Sequence, residues 1–553
     1  MQTIGQLNMP IGLMFDTQKF PNMAAWNLNV DPALRINGAA IVNVWMTQGW
    51  FNNMFFITGK TVINETAAVL DMIGDGGYPS GGWQGGRHWQ TQCSFDGCGP
   101  GGPLLGGGWY VSNVAAELDS FDEYFFDPAT QTLTLFYNSS DTMSGIPLNA
   151  PAADLVLMAS QLEVFFNISG TADVTIDGLG FRDQRFSYLD PWVVAGGGDW
   201  GLRPAGAVNL ENTDRCTLSN ALFSRTDANA VFLGGRNRNA SVLDSEFVWL
   251  GMNAVASLGL TDQDDATGGE QPWGTLLSGL VAREIALYEK QSSAFFLGRT
   301  ALSRVEASLF YNGPRAMINV NDHMGGANNF TTSVLFNACR ESGDHGPMNS
   351  WDRMPFLTSI GTDGGAASYT PALSETTGMF IIGNYGSAQG YDNDDGSNHD
   401  LTHGNYFYSC DGFKMDYGGS DSIFHGNVVV VRPYDGQNCQ NMWAFVPGHQ
   451  DILYNNTCVI WQPGVTGDSK SADMVLTQND CGACGADRSA TPFFHDNKYY
   501  TTHGNASVNC GGDFGTTIAD MQMRFSDFEA RSEWHALPTA DEVIQFGRDV
   551  LGM

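Results

Sequence analysis

The sequence predicts an all-β protein, a right-handed parallel β-helix, and three observations carry that prediction. A chain of 553 residues is too long for one ordinary compact core, so it divides into domains or grows by repetition along one axis. A short β-branched or aromatic strand leading into an Asn- or Gly-bearing turn and a second strand recurs from about residue 170 onward. It is seen in Val174–Phe181, Cys216–Phe223, Ala240–Phe247, Thr332–Asn337, Asp421–Asn427 and Asp451–Thr457. A small-apolar motif interleaves with it, at Gly206–Val208, Asn229–Val231, Asn253–Val255, Ser293–Phe295 and Arg315–Met317. Where no loop intervenes the spacing is about two dozen residues, the length of one solenoid coil.

Each element follows in order. Residues 1–150 lack the repeat and are dense in Trp, Gly and Phe, so they are expected to form a β-rich region that caps the open edge of the first coil. Residues 151–510 are expected to form the solenoid, because strands this short bury nothing until they stack on neighbours. Thr261–Thr275 and Pro347–Ser374 break the rhythm and are expected to be loops over one face. In the tail, residues 511–553, Thr539-Ala-Asp-Glu542 is a capping box. Val543, Phe546, Gly547, Val550 and Leu551 then follow at helical spacing, predicting a short amphipathic helix that plugs or flanks the last coil.

Composition narrows the function. Lys plus Arg total 26 against 59 Asp plus Glu, and a net charge of -33 repels nucleic acid and anionic lipid. No apolar run is long enough to span a bilayer, so membrane insertion is not expected. Ten cysteines, with Cys93 near Cys98 and Cys481 near Cys484, favour disulfides over a metal centre, and seven Asn-x-Ser/Thr sequons permit glycosylation. These features predict a secreted or extracellular protein. The first residues lack a signal peptide, so the chain reads as mature or truncated.

The coil motifs, together with Glu117-Leu-Asp-Ser-Phe-Asp-Glu-Tyr-Phe-Phe-Asp-Pro-Ala-Thr-Gln-Thr-Leu-Thr-Leu-Phe136 ahead of them, resemble the secreted β-helix proteins of the pectin-lyase-like superfamily. The likeness is greatest to β-helical glycoside hydrolases and their uncharacterised relatives, in which a similar segment precedes the solenoid. The resemblance implies the fold and a polysaccharide or other glycan as partner. The aspartate pairs typical of polygalacturonases are not matched in order.

The densest polar constellation is Cys339-Arg-Glu-Ser-Gly-Asp-His-Gly-Pro-Met-Asn-Ser-Trp-Asp-Arg353, with Asn321-Asp-His323 one coil earlier and Tyr391-Asp-Asn-Asp-Asp-Gly396 and Lys414-Met-Asp416 beyond. Asp322 and Asp344 are 22 residues apart, as are Asp394 and Asp416, so each pair is expected to stack on one face of adjacent coils. Carboxylates one coil apart lie about 5 Å from each other, matching retaining glycosidases, and two coils give nearly ~10 Å, close to inverting ones. Asp344 with Asp394 or Asp395 is the expected carboxylate pair, with Glu341 in reserve. His345, Arg340 and Arg353 would position substrate, Trp351 would stack a sugar face, and Asp322, His323, Lys414 and Asp416 would line the same groove.

Two other readings stay open. A lyase or epimerase needs a Lys, Arg, His or Tyr base and a neutralising cation, and Asp392, Asp394 and Asp395 offer a Ca²⁺ site without full EF-hand spacing. Hydrolysis requires no cofactor. A non-catalytic, self-assembling block of an extracellular matrix, sheath or filament also fits a rigid rod. A serine hydrolase is not supported, because Gly-x-Ser-x-Gly is absent at a strand-to-helix turn.

Overall fold

The computed structural model describes residues 12–26, 40–45, 49, 52–73, 109–121, 123–127, 129–136, 158–187, 202–262, 265–321, 326–343, 345–351, 373–383, 389–394, 396–415, 419–432, 438–442, 447–461, 474–478, 492–502, 507–510, 513–517, 519, 522–523 and 526–553. The chain divides into two units, residues 1–161 with 189–203, and residues 162–188 with 204–553.

The larger unit is a parallel β-helix. Successive strands pass in turn to a 13-stranded, an 11-stranded and a 12-stranded sheet, so each coil adds one strand to each. Among the described residues, every ladder within these three sheets is parallel except the last of the 13-stranded sheet, where Ser507–Cys510 meets Asp513–Thr517 antiparallel. Connections of this kind are right-handed because right-twisted strands close that way. The interleaved apolar motif of the sequence falls at the 13-stranded sheet, as in Gly206–Glu211, Asn229–Gly234 and Val255–Leu258.

Parallel register stacks like on like inside. Phe181, Phe223 and Phe247 are successive partners whose rings stack at 4.5 and 5.0 Å. Interior turns are held by a side-chain ladder. Asn427 Oδ1 accepts from the Asn405 backbone N–H at 3.0 Å, and Asn456 Oδ1 and Asn497 Oδ1 repeat that bond at 3.1 and 3.0 Å. In earlier coils a serine holds the same place, as where Ser308 Oγ accepts from the Leu280 N–H at 3.2 Å. Each rung satisfies a buried donor that no strand reaches.

The sequence left several details to be corrected. Thr261–Thr275 is not a loose loop, since Leu260–Asp262 and Asp265–Glu270 form an antiparallel hairpin. Pro347–Ser374 begins with a coil strand, Met348–Trp351, and ends on the next, Ser374–Thr377. The tail still contributes a solenoid strand, Glu533–Ala536, whose Trp534 stacks on Tyr499 at 4.5 Å. Helix Ala540–Leu551 carries the capping box and ends on Gly552 at φ 69°. It flanks the solenoid, packing Val543, Phe546 and Val550 on the outer face of the 12-stranded sheet beside Tyr406, Val428, Val430 and Val459. Gly547 permits that approach, for a Cβ there would lie 2.3 Å from the Tyr406 ring.

Cysteine use is mixed. Cys439 and Cys458 form a disulfide, whereas Cys216 and Cys410 are buried free thiols and the buried Cys339 Sγ donates to the His345 carbonyl at 3.2 Å. Cys93, Cys98, Cys481 and Cys484 lie outside the described residues. Among the described residues no helix is long and apolar enough to cross a membrane.

The smaller unit holds a five-stranded antiparallel sheet, ordered Gly12–Asp16, Ala67–Ile73, Asn52–Asn64, Ile41–Trp45, Trp109–Ser112, and the hairpin Glu123–Asp127 with Thr132–Phe136. Phe15, Trp26, Val42, Val44, Ile57 and Leu70 form its core.

Candidate functional site

Three consecutive strands of the 13-stranded sheet, Met348–Trp351, Tyr391–Asp394 and Phe413–Met415, carry a charged cluster. Their register aligns Asn349, Asp392 and Lys414, and sets Trp351 beside Asp394. Met348, Tyr391, Phe413 and Met415 lie in the core, so the alternate positions, including Asp392, Asp394 and Lys414, face outward.

Lys414 Nζ stands 2.6 Å from Asp392 Oδ1 and 3.1 Å from Asp394 Oδ1. Asp392 and Asp394 therefore share one ammonium, with their nearest oxygens at most about 6 Å apart. Asp392 Oδ2 also accepts from Asn349 Nδ2 at 3.0 Å and lies 3.5 Å from His345 Nδ1. Solvent access separates the members: the Asp392 side chain is 0% exposed and Lys414 5%, whereas Asp394 is 24% exposed. Asp394 is therefore the carboxylate of this triad that a substrate can reach.

The electrostatics divide the buried acids. Burial pushes the Asp392 carboxyl up, but the Lys414 charge and the His345 and Lys414 contacts outweigh it and hold it below the usual carboxylate value. Asp411, in the turn before Lys414, goes the other way. Burial drives its carboxyl well above that value, against a hydrogen bond from the Asn438 N–H and the Lys414 charge. On the inner side, burial lifts Asp400 to about 7 even though it accepts a hydrogen bond from the Tyr391 hydroxyl at 3.3 Å.

The structure brings together some of the residues singled out in the sequence and disperses others. His345, Trp351, Asp394 and Lys414 join one outward face. Arg340 instead pairs with Glu284 at 3.2 Å, and Glu341 with Lys290 at 2.9 Å, both bracing turns between coils. Trp351 is 5% exposed, so it packs beside Asp394 instead of presenting a face to a sugar. Asp322, His323, Asp344, Arg353, Asp395 and Asp416 lie outside the described residues. Of the acidic run considered for Ca²⁺, Asp392 and Asp394 both face the Lys414 ammonium.

Sequence reasoning missed the central part of Asp392 and the supporting parts of Asn349 and Asn319. A signal was present, because Asp392 and Lys414 share the 22-residue offset already noted for Asp394 and Asp416. One coil earlier the same column holds Asn319, whose Oδ1 accepts from the fully buried Arg315 Nη1 at 2.7 Å.

No protein-family model matches the chain, and no curated protein does. Among solved structures, one described as a glycoside hydrolase aligns with a TM-score of 0.46 and 11% identity, covering 81% of this chain and 74% of that one. A tailspike protein mutant of E. coli bacteriophage HK620, in complex with a hexasaccharide, aligns with a TM-score of 0.31 and 12% identity over 58% of this chain and 62% of its own. Another mutant of that tailspike, in complex with a pentasaccharide, gives 0.23 and 11% over 56% and 50%. Identities this low concern fold alone. The three stacked parallel sheets establish the parallel β-helix from the chain's own topology.

Proposed function

We propose that the protein is carbohydrate-active and acts as a glycoside hydrolase on a polysaccharide, with Asp394 as an ionised carboxylate of the reaction. One observation carries the reading: Asp394 reaches solvent from a network otherwise sealed from water, held by an ammonium that is itself anchored on Asp392. That anchoring fixes the carboxylate's position, which is what a nucleophile or base attacking a glycosidic centre needs. Asp344 and Asp395 remain the candidates for the acid. The oligosaccharides bound by the tailspikes agree with a glycan partner.

A lyase is favoured less, since Lys414 is charge-paired on both sides and serves as a counter-charge, not as a base. The test is a screen of neutral and uronic polysaccharides, reading reducing ends alongside absorbance from unsaturated products. Asp394→Asn should lower reducing-end release at least 100-fold, since losing a catalytic carboxylate costs several kcal/mol of barrier. Release by that variant at the wild-type rate removes Asp394 from the chemistry, and unsaturated products would turn the assignment to elimination.

A further inference from the structure

The smaller unit contains a cavity of 330 Å³ that the acidic cluster has no part in. Phe20, Trp26, Trp109 and Tyr110 line it, together with Lys19, Asn22 and Glu117. Its volume falls at the lower end of the ~300–1,000 Å³ of small-ligand sites, suited to the end of an oligosaccharide rather than a long chain. Phe20 and Trp109 meet edge to face, 5.7 Å apart at 62°, so they form a corner, and Phe20 keeps 41% of its surface exposed. An exposed large aromatic that fills no core is a ready partner for an apolar ligand face.

The polar groups narrow the ligand. Trp26 Nε1 donates to Glu117 Oε1, which ties the buried indole to the wall and leaves the other carboxylate oxygen as an acceptor. Lys60 donates beneath, to the Met23 and Trp26 carbonyls at 3.2 Å each, and so fixes the floor. A cationic guest would meet Lys19, and an anionic guest would meet Glu117. A neutral ligand with one apolar face and a rim of hydroxyls suits both, with Asn22 offering a donor and an acceptor. That is the chemistry of a pyranose ring.

We propose that this cavity is a glycan-binding site of the smaller unit, taking a neutral sugar against Trp109 and Phe20. It is independent of the reaction assigned to Asp394. Calorimetric titration of the full chain with cellotriose, xylotriose, maltotriose and mannotriose, and separately with choline, tests it. At least one trisaccharide should bind. Trp109→Ala should weaken that binding tenfold or more, Phe20→Ala several-fold, and Asp394→Asn should leave it unchanged. Because Phe20 is an exposed ring, its variant guards against a Trp109 variant that fails to fold. The proposal is overturned if no trisaccharide binds, if both aromatic variants bind like wild type, or if choline binds in place of sugar.

Discussion

The early and central coils share one backbone plan, yet the outer column of the 13-stranded sheet changes character between them. Phe232, Ala256 and Phe296 succeed one another in register, and the next partners are Asn319, Asn349, Asp392 and Lys414. All seven are buried. The column is polar at Asn209, turns to hydrocarbon at Phe232, and returns to hydrogen bonds and charge in a single step, from Phe296 to Asn319. The strand ladder is thus indifferent to what its outer face carries, and a site can be placed on any run of coils whose inward residues still pack.

Titration offers the largest lever on that contrast. Burial raises Asp400 and Asp451 to about 7, from an ordinary 3.8. In the unfolded chain these carboxyls lose their protons near pH ~4, whereas the folded protein keeps them to about 7. The native state therefore binds more protons across that interval, and stability falls as pH rises through it. The sum is several kcal/mol, at about 1.4 kcal/mol per pKa difference of one. Asp227, at about 6, gives the early coils a weaker version of the same slope. Asp392, held low, acts in the opposite sense below pH ~4, outside this window. Hydrogen exchange at pH 4.5 and 7.5 should show residues 391–460 losing more protection than residues 206–260, and Asp451→Asn should flatten the difference. Equal loss in both halves would break the comparison.

The inner ladder gives the next effect. Asn427 accepts from the Asn405 N–H and donates to the Thr402 carbonyl at 2.9 Å, so Asn427→Ala strands two buried backbone groups. At ~1–3 kcal/mol each, the loss is about 4 kcal/mol. Ser308→Ala in the earlier coils removes the acceptor for the buried Leu280 N–H and the donor to the Glu306 carbonyl, but that carbonyl keeps the Gly279 N–H at 3.3 Å, so one buried group is stranded and the variant should cost about half as much. Chemical denaturation of the two variants checks the ratio, and a ratio near unity would mean that the two ladders bear equal weight.

How much of this the sequence revealed depended on whether a residue's role was local. Coil motifs were legible because inward positions must be apolar in every turn, and each quoted motif falls on or beside a strand. The capping box was legible because its partners are three residues apart. The cluster was only half legible. Strands such as Met348–Trp351 are buried on both faces, so no polar alternation marks which side chain points outward. The long interval before Ser374 also hides the register, which is how Glu341 could be considered beside Asp394 while its partner is Lys290. Asp392 was visible only as an acid in an acidic run, since the amine that gives it meaning stands a full coil away.

The smallest of these effects asks why the central coils carry charge at all. Lys414→Met leaves Asp392 buried with only Asn349 and His345 beside it, and an uncompensated buried charge costs about 3 kcal/mol. Removing both charges, as Asp392→Asn with Lys414→Met, should recover most of that loss, because a buried pair is often matched by well-packed neutral groups. The early coils already hold Phe232, Ala256 and Phe296 in this column, so the position tolerates hydrocarbon. Thermal melts of the single and double variants read the recovery. A double variant as stable as wild type yet unable to cleave glycan would assign the ion pair to holding Asp394, whereas one that stays as unstable as Lys414→Met would make it a brace of the solenoid.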